Sequence, residues 1–421
     1  MPSHKRRSIA IGGIVLLGAL AIAAWEQATR GTDGSALPVT RVGARPVAMA
    51  ADARSGHIFV VNGGDMAHPG SVSMLDATGY TMLRTSAVGV DPAALTLDAR
   101  LGRVYVINRG PANGDGMSIG TGSVSVLDTT SGRVVQTARL PMPPRALAAD
   151  TRTGRVFVAG GAWGQPGRLE VLDGASGQVL RTVAIPPNAM KIVVDARTAH
   201  AFVVGAGVYP HPGGVTTLDA RDGRVLRTVT AGRFPMTAAV DERTGRVFVA
   251  NGGNSTTDGN VSVLDAASGR VLRTIAPGSS PTTLAVDTRA GRVYVLMINN
   301  KSVAVLDARD GASVGAIPVN TYLSNDSMAI DEQRHRAYIA DASGTYVIDT
   351  ESRQARRVPA AKGSVVAVDD TGRAFVADAD TAGDDDPKGL AGLIGTLLHG
   401  PPSHLGLVGA HSPGKVRALD P

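Results

Sequence analysis

Apolar and polar positions alternate along this chain in short runs, each closed by a turn rich in Gly, Asp and Arg. An aliphatic run ends in aspartate, turns through a short Arg/Gly loop, and returns as an aromatic-containing run. The unit occurs eight times, with its aspartate at Asp52, Asp98, Asp150, Asp195, Asp241, Asp287, Asp331 and Asp369. Successive steps are 46, 52, 45, 46, 46, 44 and 38 residues. A second aspartate mark runs in phase, at Asp76, Asp128, Asp173, Asp219, Asp265, Asp307, Asp349 and Asp420. Two hairpin signals per period of this size predict an all-β propeller of eight four-stranded blades. A seven-bladed ring is the alternative count.

The copy over residues 235–275 is the cleanest. Its pattern predicts an innermost strand a at Thr237–Val240, b at Arg246–Asn251, c at Asn260–Leu264 and d at Arg270–Ile275. Gly245 and Gly269 stand where a left-handed residue ends each turn, and Asp241 and Asp265 where a carboxylate accepts the turn's free N–H groups. The sixteen strand-end aspartates therefore read as turn locks rather than catalysts. The last repeat stops after its strand c, Lys415 to Leu419, and the segment from Pro38 to Val42 is placed to supply its missing strand d. Pairing the two would remove two open sheet edges.

Residues 38–421 thus form one propeller, interrupted in its last blade by an insertion at 379–414 that carries the apolar stretch Gly389 to Gly400. Ahead of it, Lys5-Arg6-Arg7 and the uncharged run Ile9 to Ala24 make residues 1–25 a signal peptide or signal anchor, with 26–37 a linker. Sixteen residues at ~1.5 Å each fall short of a ~30 Å hydrocarbon core. Export to the periplasm or outside the cell follows in either case, with the membrane met only through this leader. The chain has no cysteine, so neither disulfides nor thiolate metal sites contribute. Without Lys5, Arg6 and Arg7 the net charge of +6 falls to +3, and the other arginines recur at fixed repeat positions beside aspartates. That distribution argues against nucleic acid.

Arg103 to Asn108 (RVYVIN), Arg246 to Asn251 (RVFVAN) and Arg292 to Met297 (RVYVLM) each follow a G-x-x-P-x-x-[LA]-x-x-D stretch. Together they resemble the YVTN-type bacterial β-propeller repeat. The resemblance implies an exported or surface-associated propeller and brings no universal catalytic motif with it.

Both hairpin turns of a blade fall on one face of a disk; the b–c and d–a connections fall on the other and vary in length. Binding residues are expected on that variable, working face. Seven residues before each strand-a aspartate stand Arg45, Asp91, Pro143, Asn188, Phe234, Ser280, Ser324 and Lys362. Five before come Val47, Ala93, Arg145, Met190, Met236, Thr282, Asp326 and Ser364. Arg45, Arg145, Lys191, Arg233 and Lys362 would gather at the channel mouth and favour an anion. His68, His211 and His411, each near a Pro-Gly turn on the same face, are possible metal or haem ligands.

No catalytic residue is assigned, and no cofactor is required by any motif. The expected function is a monomeric binding or scaffold protein for a small anion, glycan or protein partner. The alternatives are a haem d1-like or metal-binding cofactor protein and a propeller hydrolase or lyase.

Overall fold

The computed structural model describes residues 39–418 apart from 65–69, 113–117, 119, 209–210, 254–258, 321–327, 342–343, 359–364, 369–373 and 379–412. The chain forms eight four-stranded antiparallel sheets. In the first, the order from the inside out is Pro46–Asp52, His57–Asn62, Ser71–Asp76 and Met82–Ala87. Innermost strands pack one against the next around a ring, and Val365–Val368 of the last sheet returns against Pro46–Asp52 of the first. The fold is a β-propeller, with no helix among the described residues.

The last blade is built from both ends of the chain. Val39–Ala44 lies outside Pro413–Ala418, which pairs with Ala374–Asp378. Val39 faces Arg417, and Ala44 faces Pro413. The closing strand is thus where the repeat count places it, slightly longer than Pro38 to Val42. Val42 and Val416 are buried with Met49, Ile58 and Val60 of the first blade, which seals the seam. The leader and the apolar stretch of the insertion lie outside the described residues.

Each blade is apolar on both sides because each is covered on both sides. In strand b of the first blade, Ile58 and Val60 pack toward the last blade, whereas Phe59 and Val61 pack toward the second. Strand alternation thus sends successive side chains into two different inter-blade cores. Strand a of the cleanest copy is longer than its pattern indicates, Pro235–Asp241 instead of Thr237–Val240. The reason is a bulge: Pro235 pairs with Asn251 and Thr237 with Ala250, leaving Met236 unopposed. An extra residue breaks the strand's period of two.

The turn locks form as expected. Asp241 Oδ1 accepts from the N–H groups of Arg243 and Thr244, at 2.9 and 3.2 Å, and Gly245 closes the turn at φ +67°. Asp265 does the same for the Ser268 N–H and hydroxyl, at 2.8 and 2.7 Å. The repeated arginines are equally structural. The D-x-R arginines reach the next blade: Arg100 Nε donates to Thr151 O, Arg197 Nε to Glu242 O and Arg243 Nε to Thr288 O. Arginines opening strand b pair with the aspartate closing strand c, as in Arg103–Asp128 at 2.8 Å and Arg155–Asp173 at 2.7 Å.

The two sets of locks differ electrostatically. Burial raises the carboxyl pKa of Asp98 and Asp331, and pushes Asp287 up to about 6, with the Glu332 carboxylate adding to the effect. The outer locks shift the other way: the Ser131 N–H lowers Asp128, the Ser176 N–H lowers Asp173, and the Ser268 hydroxyl lowers Asp265.

Two outcomes follow. Removing residues 36–44 strips the last blade of its outer strand and bares Val416, and should lower the melting temperature by roughly 5 °C or more; an unchanged melt would refute closure of the ring. For Asp287, a folded pKa above the unfolded value of ~3.9 gives a contribution that is full below about pH 4 and lost as pH rises through about 6. Asp287→Asn should therefore flatten the fall in melting temperature between pH 4.5 and 7.5, read by calorimetry across that range.

Candidate functional site

The working face is assembled by one backbone device repeated from blade to blade. The residue before the first proline or alanine of strand a is left-handed: Arg45, Asp91, Asn188, Phe234 and Ser280 have φ between 52° and 57°. Such a conformation is uncommon for non-glycine residues and needs outside support. The support is visible. The carbonyl of each accepts a bond from the residue after strand b, as in Gly63 N to Arg45 O at 2.8 Å and Gly252 N to Phe234 O at 2.9 Å.

The glycine two residues earlier has its own cause. A Cβ on Gly43, Gly89 or Gly232 would come within 2.7 Å of the side chain of Asn62, Asn108 or Asn251. Those asparagines are buried and donate to strand c, Asn62 to Ser71 and Ser73 at 3.1 and 3.0 Å.

The two sets of positions counted back from the aspartates thus have physical identities. Among the described residues, the seven-back set is the left-handed turn residue at Arg45, Asp91, Asn188, Phe234 and Ser280, and Pro143 departs from it because its ring fixes φ. The five-back set is the bulged residue of strand a, at Val47, Ala93, Arg145, Met190, Met236 and Thr282. Bulges re-aim a side chain at a strand end, here at the channel mouth.

Within this frame a basic cluster spans blades one to three. Arg109 grips Asp91 with two bonds, Nε to Oδ2 at 2.7 Å and Nη2 to Oδ1 at 3.0 Å. Arg45 reaches the same carboxylate at 3.5 Å. Arg145 donates through Nε to Gly161 O at 3.1 Å and lies over the Trp163 ring, 5.4 Å from its centroid. Burial, and then the charge of Arg109, lower the Arg145 pKa. Two guanidinium groups therefore share the Asp91 carboxylate, and Arg145, close enough to feel the charge of Arg109, has no carboxylate partner among the described residues. The arrangement can bind an oxyanion bidentately beside an aromatic face.

The remaining expected residues divide. Lys191 lies half-buried in strand a of blade four, one residue past the bulge. Arg233 is exposed, in the turn before Phe234. Lys362, His68 and His411 lie outside the described residues. His211 is exposed at the rim of a cleft of about 510 Å³ between blades three and four, walled by Pro166, Pro186, Pro187, Val208 and Pro212. Asn188, buried beneath it, joins both walls: its Oδ1 accepts from Gly164 N at 2.8 Å and its Nδ2 donates to Gly207 O at 2.7 Å. No group of three His, Cys, Asp or Glu residues suited to a metal occurs among the described residues.

Arg109, Asp91 and Trp163 were not singled out as ligand-binding residues by the sequence. Arg109 carried a signal: it follows strand b, where blades one, three and five have Gly63, Gly161 and Gly252.

No protein-family model matches the chain, and a comparison with curated proteins finds no match. Among solved structures, the chain is similar to hydrazine synthase of Kuenenia stuttgartiensis at 17% identity and a TM-score of 0.55, over 76% of this chain and 99% of that one. It is also similar to Sqt1 of Saccharomyces cerevisiae, at 10% identity and a TM-score of 0.59, over 83% of this chain and 93% of that one. At such identities the likeness shows the β-propeller fold alone.

Asn188 allows a direct test of how this face is held. Asn188→Gly keeps the left-handed backbone and loses two buried bonds, costing about 1–2 kcal/mol. Asn188→Ala adds the left-handed penalty of roughly 1–2 kcal/mol. Chemical unfolding should rank wild type above Gly and Gly above Ala.

Proposed function

We propose that the chain is an exported, non-enzymatic propeller that binds a small anion at the mouth of its channel, with Arg145, Arg109 and Arg45 as the binding cations. The observation that carries this reading is an excess of cation: Arg45 and Arg109 share the one carboxylate of Asp91, and Arg145 beside Arg109 has no carboxylate partner among the described residues. Cations spread along a rim would each be solvated. Here Asp91 holds Arg45 and Arg109, and a backbone bulge presents Arg145, so an incoming carboxylate or phosphate would meet preorganised donors. Trp163, stacked on Arg145, adds an aromatic platform at the same point. Export is supported by the basic flank and uncharged run of residues 5–24.

Trp163 also supplies the assay. The chain has two tryptophans, and the other, Trp25, precedes the propeller. Titration with phosphate, sulfate, succinate and benzoate, against sodium chloride of equal ionic strength, should change Trp163 emission saturably for at least one anion. Arg145→Gln should weaken that response about tenfold or more, the loss expected for a charged hydrogen bond. A response no larger than that to chloride would reject the anion site.

A further inference from the structure

Ten large aliphatic side chains are exposed among the described residues, and eight of them occupy the first two positions of strand d in blades one to five. Leu83, Val135, Leu180, Leu226 and Leu272 share one origin. In each blade the c–d pairing skips a residue: Leu75 faces Met82 and Met74 faces Arg84, so Leu83 is bulged out of the ladder. The same skip leaves Val135, Leu180, Leu226 and Leu272 unpaired. These five are 37% to 53% exposed.

A bulge on an outer strand blunts a sheet edge against unwanted pairing, but that task needs no aliphatic side chain; a polar or charged residue serves it better. All five follow directly on the c–d turns. They therefore stand at one height, on the rim of the turn face.

That rim is basic as well as apolar. The five outer strands contain no Asp or Glu. In the adjoining turns Arg133, Arg152, Arg197, Arg221, Arg224 and Arg270 are exposed, and Asp222 is the one exposed carboxylate among them. The chain also enters the disk on this side. Val39, facing Arg417 at the end of strand c, begins the outer strand of the last blade at the turn face. The described chain thus begins at the turn face, and the uncharged run Ile9 to Ala24 precedes that point in the sequence.

We infer that the turn face is a docking surface for an anionic lipid bilayer. The bulged aliphatics enter the headgroup boundary while the turn arginines meet lipid phosphates, and the working face looks away from the membrane. Aliphatic and cationic groups at one level are the combination such a surface selects. A protein partner of matching acidity would not explain why the chain enters from this side.

The lack of cysteine makes the test clean, since a single introduced thiol carries the only label. Full-length Leu226→Cys and Arg233→Cys proteins are each labelled with an environment-sensitive dye and mixed with vesicles. One set is phosphatidylcholine with roughly a third phosphatidylglycerol; the other is phosphatidylcholine alone. The 226 label should shift to the blue on the anionic vesicles, and less so at about 0.5 M salt, while the 233 label stays in water. Replacing Leu83, Leu180, Leu226 and Leu272 together by Ser, with the label moved to position 135, should reduce vesicle binding about tenfold.

A chain held by its leader alone would leave the 226 label in water on anionic vesicles, which would overturn the inference. So would an equal shift on neutral vesicles. A concentration-dependent shift without lipid would assign the rim to contact between copies instead.

Discussion

A four-stranded sheet with apolar residues on both faces has no stable existence alone in water; it needs a neighbour on each side. Every blade of this propeller is in that position. Phe59 and Ile58, adjacent in sequence, belong to different cores because they point into different seams. The demand is satisfied everywhere only if the ring has no ends. The strand Val39–Ala44 meets that condition by completing the last sheet, placing Val42 against the core shared with the first blade. Once the ring is shut, the a–b and c–d turns are fixed by their aspartates, and the opposite connections are left free to differ.

The basic balance of the chain takes on a different meaning in this setting. Many of its arginines are spent between blades, reaching backbone carbonyls of the next repeat or closing Arg–Asp pairs across strands b and c. Net charge is therefore a poor guide to partners here. What distinguishes Arg45, Arg109 and Arg145 is their departure from that scheme, with two guanidinium groups on one carboxylate and a third held against a tryptophan instead. The aspartates show the same dependence on place. The same residue in the same kind of turn has its pKa raised near the axis, where it is buried, and lowered farther out, where serine and arginine donors face it.

The repeat, the four strands of a blade and the closing strand were all legible in the sequence, because each rests on spacing and on turn chemistry that a single chain displays. The site was legible only in part. Counting back from the aspartates picks out positions that share a backbone geometry among the described residues, yet nothing in the letters said that one set is left-handed and the next is bulged. Those conformations are imposed by carbonyls accepting bonds from a neighbouring loop, a tertiary cause. Arg109 and Trp163 escaped for a related reason: they sit on b–c loops that belong to no repeated motif. His211 was found on the expected face but in a cleft whose walls are proline and valine, which offers an imidazole no second ligand among the described residues.

A blade assembled from the two extremities of the polypeptide makes assembly order a property of the architecture. The pairing of Val39 with Arg417 closes a loop of 378 residues, whose entropy for a flexible chain is on the order of 5 kcal/mol. Each interior blade that forms first shortens the slack and reduces that cost, so nucleation among local hairpins should precede circularisation. Until residue 417 has been synthesised, the molecule remains an unsealed arc. Sealing of the ring therefore waits on the pairing of these two strands.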